Sequence, residues 1–433
     1  MSPIFTGVIG IIILFVLIVL RMPIGFAMGI VGFAGFVYMS SLGGALHILG
    51  TAPFGTVSSY SFSVLPLFIL MGNLAFATKI SAKLFNAAQK LLGHLPGGLA
   101  SATVAGCAGF AAISGSSFAT AATMGAVSFD EMKKFNYDPR LSTGCIAAGG
   151  TLGILIPPSN LFIIYGILTQ ESIGKLFMAG IIPGVILSAL YVATIIVLVL
   201  LNPKLGPRGP KTSFKEKIGA LWGASDMAAL FLLVMGGLYG GIFTPNEAAG
   251  IGAAGALLIG LLRRNITFKA FNMALMATIK VTVMIFIILI GALIFNRFLV
   301  LTTIPSALAG FISGLNMSPM VTMGVMFVLY LILGCFFDSA AITLLTVPIF
   351  FPLILALHID PIWFGVFFCL CMEMGLLTPP VGMNCYVIAG VSKEPVQTVF
   401  LGILPFVIPM IAIIALLMIF PQLALFLPTL MTK

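Results

Sequence analysis

Long apolar runs alternate with short polar loops along the chain. Runs of about 20 apolar residues are long enough to cross the hydrocarbon core of a bilayer as helices. The first run is followed by Arg21 rather than by the small residues of a signal-peptide cleavage site, so it is interpreted as a membrane span. In the first half of the chain the pattern predicts membrane-spanning helices near residues 4–20, 24–40, 62–78, 141–168 and 177–201.

Two of the apolar runs contain paired prolines. They are GGTLGILIPPSN at 149–160 and MGLLTPPVGMN at 374–384. Proline lacks the N–H that a helix needs and its ring clashes with the preceding turn, so each pair should interrupt its helix. The sequence therefore predicts proline-broken helices over about 141–168 and 363–390.

The two proline pairs lie 222 residues apart, and other residues that set backbone geometry recur at the same offset. The dipeptide Asp138-Pro139, for example, recurs as Asp360-Pro361. Such matches are informative even in an apolar chain, because proline and glycine restrict local conformation. The chain is therefore interpreted as two copies of one unit. Repeat 1 covers residues 1–201, a polar linker covers 202–225, and repeat 2 covers 226–433.

Basic residues orient the two halves, because short loops rich in Lys and Arg stay on the cytoplasmic side. The linker contains five Lys or Arg residues between 202 and 217 and is predicted to be cytoplasmic. Lys133, Lys134 and Arg140 precede the first broken helix, whereas the corresponding loop at 356–362 contains no Lys or Arg. The basic loops have exchanged sides, which predicts an inverted-topology repeat of the kind found in secondary transporters.

One further segment in each half should enter and leave the membrane on the same side. Basic residues flank 98–128 at both ends, so this segment is predicted to be a re-entrant helical hairpin with SGSS (114–117) at its tip. Its partner at 319–357 has FFDSAA (336–341) at the tip. Irregular backbone at membrane depth is tolerated only inside protein or beside water, so both tips should be buried. The predicted fold is an all-α polytopic membrane protein.

The breaks and tips predict a central binding site. A helix interrupted in the membrane leaves unpaired carbonyl groups before the break and unpaired N–H groups after it. The carbonyls suit a desolvated cation, and the positive N-terminal helix ends suit an anion. The candidate substrate-binding residues are Ser116, Ser117, Ser159, Asn160, Gly382 and Asn384. The candidate Na⁺ ligands are Ser114, Gly115, Gly150, Thr151, Asp338, Ser339, Thr378 and Pro379.

Each of these residues also has a structural interpretation, because Ser and Thr commonly pack membrane helices and bond to nearby carbonyls. Acids within the membrane indicate function by default. Asp338 is interpreted as a cation ligand or as the cap of a half-helix. Glu373 is interpreted as a cation ligand, a proton carrier or the partner of a backbone amide. Arg297, near the outer end of its span, either meets an anionic substrate or extends towards the lipid interface.

Composition excludes several other classes of protein. Hydrophobic residues make up 61% of the chain and charged residues 7%, compared with roughly one quarter charged in a soluble domain. The net charge of +9 comes from loop residues that set orientation, so it does not indicate nucleic-acid binding. The six cysteines lie in apolar segments without C-x-x-C spacing, which argues against disulfides and metal ligation. Neither H-E-x-x-H nor G-x-S-x-G occurs, so no enzyme is predicted.

Three motifs taken together resemble those of a known family. AAISGSSFATAATMGAV (111–127), AAGGTLGILIPPSN (147–160) and EMGLLTPPVGMN (373–384) are similar to the large membrane subunit of tripartite ATP-independent periplasmic (TRAP) transporters, and the similarity covers nearly the whole chain. The resemblance implies sodium-driven import of a small organic anion across the bacterial inner membrane. It also implies two partners, a periplasmic binding protein that delivers the substrate and a small four-helix membrane subunit, which we expect to be a separate chain.

The resemblance further implies an elevator mechanism, in which the hairpins and broken helices slide against a scaffold formed by residues 4–40, 79–94 and 226–263. An ion-coupled anion carrier of the same inverted-hairpin architecture that needs no binding protein is the main alternative. A channel is disfavoured, because two closed hairpins suit an occluded site better than a continuous pore. The sequence leaves open which anion is carried, how many sodium ions accompany it, and the oligomeric state.

Overall fold

The computed structural model describes residues 2–78, 80–209, 212–314 and 318–431, and in these ranges every regular element is helical. The first half contains α1 (Pro3–Val19), α2 (Ile24–Met39), α3 (Leu42–Val57), α4 (Val64–Ala77), α5 (Ile80–Leu92), α6 (Gly98–Ser114), α7 (Ser117–Lys134), α8 (Pro139–Leu155), α9 (Asn160–Thr169) and α10 (Ile173–Leu201). The second half contains α11 (Phe214–Gly223), α12 (Ser225–Tyr239), α13 (Pro245–Leu262), α14 (Phe268–Leu301), α15 (Ile304–Gly314), α16 (Pro319–Phe336), α17 (Ser339–Ala356), α18 (Pro361–Leu377), α19 (Met383–Ser392), α20 (Val396–Ile419) and α21 (Gln422–Leu430). The prediction of an all-α protein is confirmed.

The helices of the described ranges are long and apolar enough for a multi-pass membrane protein. Eight of the helical segments described meet the length and hydropathy of a membrane span, or nine if α11 and α12, which meet at 52°, form one bent span. Shorter apolar helices such as α1, α2, α6 and α18 lie among them. Lys79, the first residue of the stretch 79–94, and Lys211 of the linker lie outside the described residues.

Local sequence explains where the first proline-marked helix starts and stops. Asp138 caps α8 by accepting a hydrogen bond from the backbone N–H of Arg140 at 2.7 Å. Ile156 is extended, as expected for a residue that precedes proline, and α8 ends there. Ser159 then caps α9 by accepting from the N–H of Phe162 at 3.3 Å. The second proline-marked segment is divided in the same way into α18 and α19.

Helix bounds in the second half follow those of the first half at the 222-residue offset. α17 covers the residues that correspond to α7, and α18 those that correspond to α8. Some contacts between the halves are also matched by a second contact, in which the corresponding helices come from the opposite halves. α7 packs against α19 while α9 packs against α17, and α2 packs against α14 while α13 packs against α4.

The halves differ most in one long segment. α14 runs unbroken for 34 residues. The corresponding part of the first half is divided into α3, a short 3-10 helix at Tyr60–Ser63 and α4. The helix is therefore interrupted in the first half where it is continuous in the second, and Ser59 and Phe62 at the interruption line a cavity beside α14.

The linker is docked against the base of the first hairpin, α6–α7. The hydroxyl of Tyr137 donates to the carbonyl of Pro207 at 2.7 Å and accepts from the N–H of Leu99 at 3.1 Å. Burial raises the pKa of Tyr137 to about 12, so the hydroxyl keeps its proton at physiological pH. Thr212 adds a hydrogen bond of 2.6 Å to the carbonyl of Lys90. These contacts fix the linker to the hairpin base and to α5.

A three-residue ion network joins the amphipathic helix α5 to the second half. Asp226 of α12 lies 3.2 Å from Lys83 of α5 and 2.7 Å from Arg263 at the end of α13. The Asp226 side chain is 11% exposed, so it is screened from water better than either cation. The network ties a helix of the first half to two helices of the second half.

Candidate functional site

The tip of the first hairpin is docked on the break between α8 and α9. The backbone N–H of Asn160 donates to the carbonyl of Gly115 at 3.2 Å. Gly115 has a left-handed conformation with φ of 62°, and a Cβ at this position would lie 3.0 Å from the carbonyl oxygen of Pro158. Both the backbone conformation and the close approach require glycine here. The first predicted tip and the first predicted break therefore form one junction.

Two glycines of α8 let the second arm of this hairpin approach closely. A Cβ on Gly153 would lie 2.5 Å from the carbonyl oxygen of Ser116 and 2.5 Å from the hydroxyl of Thr120. A Cβ on Gly150 would lie 2.7 Å from the Cβ of Ala121. The first junction is thus closed by packing along α7 and α8 as well as at the tip.

Several predicted polar residues of the first junction already have partners. The hydroxyls of Ser114 and Thr120 are 2.6 Å apart across the hairpin. Ser116 caps α7 by accepting from the N–H of Ala119 at 3.4 Å. Thr151 is directed away from the tip, because its hydroxyl donates to the carbonyl of Ala148 at 2.6 Å and lies 3.2 Å from the hydroxyl of Tyr191. Thr151 is therefore not brought to the tip.

The second junction is held by a cysteine that sequence reasoning missed. The thiol of Cys335 lies 3.1 Å from the hydroxyl of Thr378 and 3.4 Å from the carbonyl oxygen of Pro379. A Cβ on Gly375 would lie 2.6 Å from the Cα of Gly334, so the first arm of the hairpin touches the broken helix. Cys335 is matched by Ile113 in the first half, so the repeat gives no signal for it.

The remaining candidates of the second half occupy the tip and the break. Asp338 caps α17 by accepting from the N–H of Ala341 at 3.0 Å, and Ser339 is buried beside it. Gly382 has φ of 58° and precedes α19. Pro379 is exposed, whereas both prolines of the first break are buried. The second junction is therefore the more open of the two.

Unpartnered polar atoms concentrate at these junctions. Ten buried side-chain nitrogen and oxygen atoms in the described residues lack a hydrogen-bond partner, and six of them belong to predicted site residues. The six are Ser117 Oγ, Asn160 Oδ1, both carboxylate oxygens of Glu373, and Oδ1 and Nδ2 of Asn384. Ser117 of the first half lies beside Glu373 of the second half, and neither completes a hydrogen bond with the other.

The electrostatics of the site are dominated by carboxyl groups without a cationic partner. The ion pairs in the described part of the chain involve Asp226 and Glu131, not Asp338 or Glu373. Glu373 is 1% exposed, and an isolated carboxylate at such a position is very costly. The site therefore calls for a proton or a bound cation beside Glu373.

Broken helices, docked hairpin tips and buried polar atoms inside a multi-pass helical bundle define a membrane transporter rather than an enzyme. Residues 11–423 match the family described as tripartite ATP-independent periplasmic transporter, DctM component. The chain therefore belongs to the family of TRAP transporter large permease subunits and is a multi-pass protein of the inner membrane. The predictions of family, of localisation and of a protein that is not an enzyme are confirmed.

Two relatives and one solved structure are similar to this chain over most of their length. The chain is 34% identical over 402 residues to the C4-dicarboxylate TRAP transporter large permease protein DctM of Pseudomonas aeruginosa, covering 89% of this chain and 93% of the relative. It is 32% identical over 411 residues to the sialic acid TRAP transporter large permease protein SiaM of Vibrio cholerae, covering 94% and 95%. The Alcanivorax borkumensis YdaH transporter shares the fold with a TM-score of 0.52 at 17% identity, covering 87% of this chain and 89% of that one.

Proposed function

We propose that the protein carries out sodium-coupled secondary active uptake of a small organic anion, a carboxylate or a sulfonate, across the inner membrane. The observation that carries this proposal is that six unpartnered polar atoms are buried at or near the two junctions, with Ser117 of one half beside Glu373 of the other. Five of them are oxygens, the ligands that hard cations such as Na⁺ prefer. A bound cation would satisfy atoms whose burial otherwise costs free energy.

In this proposal Ser117, Glu373 and Asn384 hold a sodium ion between the halves. Their oxygens fit the ion chemically, and the carboxylate of Glu373 balances its charge, so the buried site is neutral overall. The hydroxyl of Thr378 and the carbonyl of Pro379 offer further oxygen ligands at the second break, where Cys335 now contacts both. Coupling follows because the anion and the cation each reduce the cost of burying the other.

The anion would be bound by helix N-termini. α7 and α9 begin at the first junction, and α17 and α19 begin at the second. The N-terminal end of a helix carries a partial positive charge and free N–H groups, which suit carboxylate and sulfonate oxygens. Ser116, Ser159 and Gly382 directly precede three of these helices and are the proposed substrate contacts. Both relatives named above are named for carboxylate substrates.

The proposed mechanism is an elevator built on two inverted repeats. The matching helix bounds and the exchanged contacts between the halves support a pseudo-two-fold relationship. Hairpins α6–α7 and α16–α17 would re-enter from opposite sides and move together with the two broken helices. α1, α2 and α12–α14 would form the scaffold, held to α5 by the Asp226 network. A periplasmic binding protein and a small four-helix membrane subunit complete the proposed transporter.

Thermal unfolding in NaCl and in KCl at equal ionic strength tests the cation site without knowledge of the substrate. A ligand present at a hundredfold excess over its Kd stabilises the folded state by about 2.7 kcal/mol. We expect a sodium-specific rise in the unfolding temperature of the wild type that shrinks in Asn384→Ala and in Glu373→Gln. Asn73→Ala is the control, because it removes a half-buried amide that bonds to Thr278 of α14 rather than to any proposed sodium ligand. It should lower the unfolding temperature equally in both salts.

No sodium effect at any concentration would contradict sodium coupling and would favour proton coupling through Glu373. Uptake of succinate or N-acetylneuraminate by proteoliposomes, with and without the cognate binding protein, tests the delivery step. Uptake that needs no binding protein would support the alternative, an independent anion carrier of the same architecture.

A further inference from the structure

Two adjoining cavities lie beside the interruption between α3 and α4. Each has a volume of about 540 Å³. The first lies between α3 and α14, and the second extends from α14 to α9 and α17. The two cavities share Ser59, Phe62 and Leu293 in their walls. The cavities therefore adjoin along this wall, and the second reaches the C-terminal end of α9 and the C-terminal half of α17.

Three polar side chains that line this space have no hydrogen-bond partner among the described residues, whereas Thr51, Thr56 and Gln170 donate to nearby backbone carbonyls. Arg297 is the one charged residue among those that line either cavity. Within the described ranges its guanidinium makes no ion pair and no hydrogen bond, and the Ser59 hydroxyl and the Asn296 amide also make no hydrogen bond. A guanidinium presents several N–H donors in a fork that matches the two oxygens of a carboxylate.

We infer that Arg297, Ser59 and Asn296 form an anion-binding vestibule, which receives the carboxylate or sulfonate group of the substrate before it reaches the junctions. This inference rests on the proposed function. A single cation in a space lined by no acid attracts incoming anions and raises their local concentration. α9 contains 10 residues and is about 15 Å long, so the vestibule lies within one short helix of the first junction.

The phosphate of an anionic lipid offers the same chemistry to Arg297, so the test separates the two sources. Ser59→Cys places a thiol in the wall shared by both cavities, and the cysteines in the described residues are buried, which keeps background labelling low. The full chain is placed in phosphatidylcholine nanodiscs. Its labelling rates with a sulfonate-bearing and with a trimethylammonium-bearing methanethiosulfonate reagent are then compared.

We expect the anionic reagent to react roughly tenfold faster than the cationic one, and added salt to reduce this preference. Arg297→Gln should abolish the preference and Arg297→Lys should keep most of it. Arg264→Gln removes an exposed arginine that lines neither cavity and should change nothing. Equal rates for the two reagents with Arg297 present, or the same preference in Arg297→Gln, would overturn the inference.

Protection from a neutral thiol reagent identifies the anion. Millimolar succinate or ethanesulfonate should slow labelling of Ser59→Cys when Arg297 is present and should have no effect in Arg297→Gln. Protection by phosphatidylglycerol in the nanodisc but by neither small anion would make Arg297 a lipid contact and overturn the inference. Labelling requires no transport, so loss of the labelling preference with intact uptake contradicts only the vestibule. Absence of uptake and of sodium stabilisation contradicts only the proposed function.

Discussion

Gly153→Ala measures how tightly the first hairpin is seated on α8. The added Cβ would lie 2.5 Å from the carbonyl oxygen of Ser116, a backbone atom that can move away only if the hairpin tip moves. Overpacking of this kind costs about 1–3 kcal/mol. Alanine is better than glycine in a helix by about 0.5–1 kcal/mol, which offsets part of that cost. We therefore expect a net loss of about 1–2 kcal/mol in the free energy of unfolding.

Gly250→Ala is the matched control for this measurement. Gly250 also lies inside a helix, but a Cβ there would meet nothing within 4 Å, so only the gain in helix propensity remains. Thermal unfolding of both variants in KCl should place Gly153→Ala below the wild type and Gly250→Ala at or above it. Displacement of the tip also separates Ser117 from Glu373, so the sodium-specific stabilisation should shrink in Gly153→Ala alone. Equal unfolding temperatures for the two variants would refute the close seating of the hairpin.

Three further substitutions test other contacts. Asp226→Asn removes the shared partner of two cations and should lower the unfolding temperature at low salt more than Glu131→Gln, which breaks a solvent-exposed pair. Equal losses would contradict the argument that Asp226 is screened from water. Tyr137→Phe removes the hydrogen bonds to Pro207 of the linker and to Leu99 of α6 and should increase hydrogen exchange in the linker. Unchanged exchange would mean that other contacts, such as that of Thr212 with Lys90, hold the linker. Gly115→Ala should be less stable than Gly241→Ala, because both glycines have positive φ but only Gly115 is crowded; equal losses would mean that the tip is free of the break.

Helix ends at the breaks were predictable from sequence because they are set locally. A proline pair interrupts a helix and an aspartate followed by proline favours a helix start, so α8–α9 and α18–α19 together lie close to the ranges 141–168 and 363–390 expected for the two broken helices. α7 runs on to Lys134, beyond the predicted hairpin limit at 128, because its last two turns remain helical after the apolar run ends. α3 was not predicted, because its segment mixes glycine, threonine and an internal proline with apolar residues.

The candidate site was predictable in its positions but not in its partners. Sequence places Ser117 and Glu373 in different halves, and only packing brings them side by side. Cys335 and Thr378 meet through contact between a hairpin and a broken helix, and no periodicity marks that contact. Thr151 lies in the motif before the first break, but its side chain is directed towards Tyr191 of α10 and not towards the hairpin tip. Side-chain direction depends on the tertiary arrangement, which local pattern does not specify.

The unbroken helix α14 makes the protein sensitive to the thickness of its bilayer. Between Lys280 and Arg297 this helix has 16 uncharged residues, which rise about 24 Å, whereas the hydrocarbon core is about 30 Å thick. Lys280 can extend along the helix towards the headgroups on its side, whereas Arg297 lines the cavity, so thicker lipids would place that cavity deeper below the headgroups. Lipid chain length should therefore govern how freely water and anions reach the space that Arg297 lines.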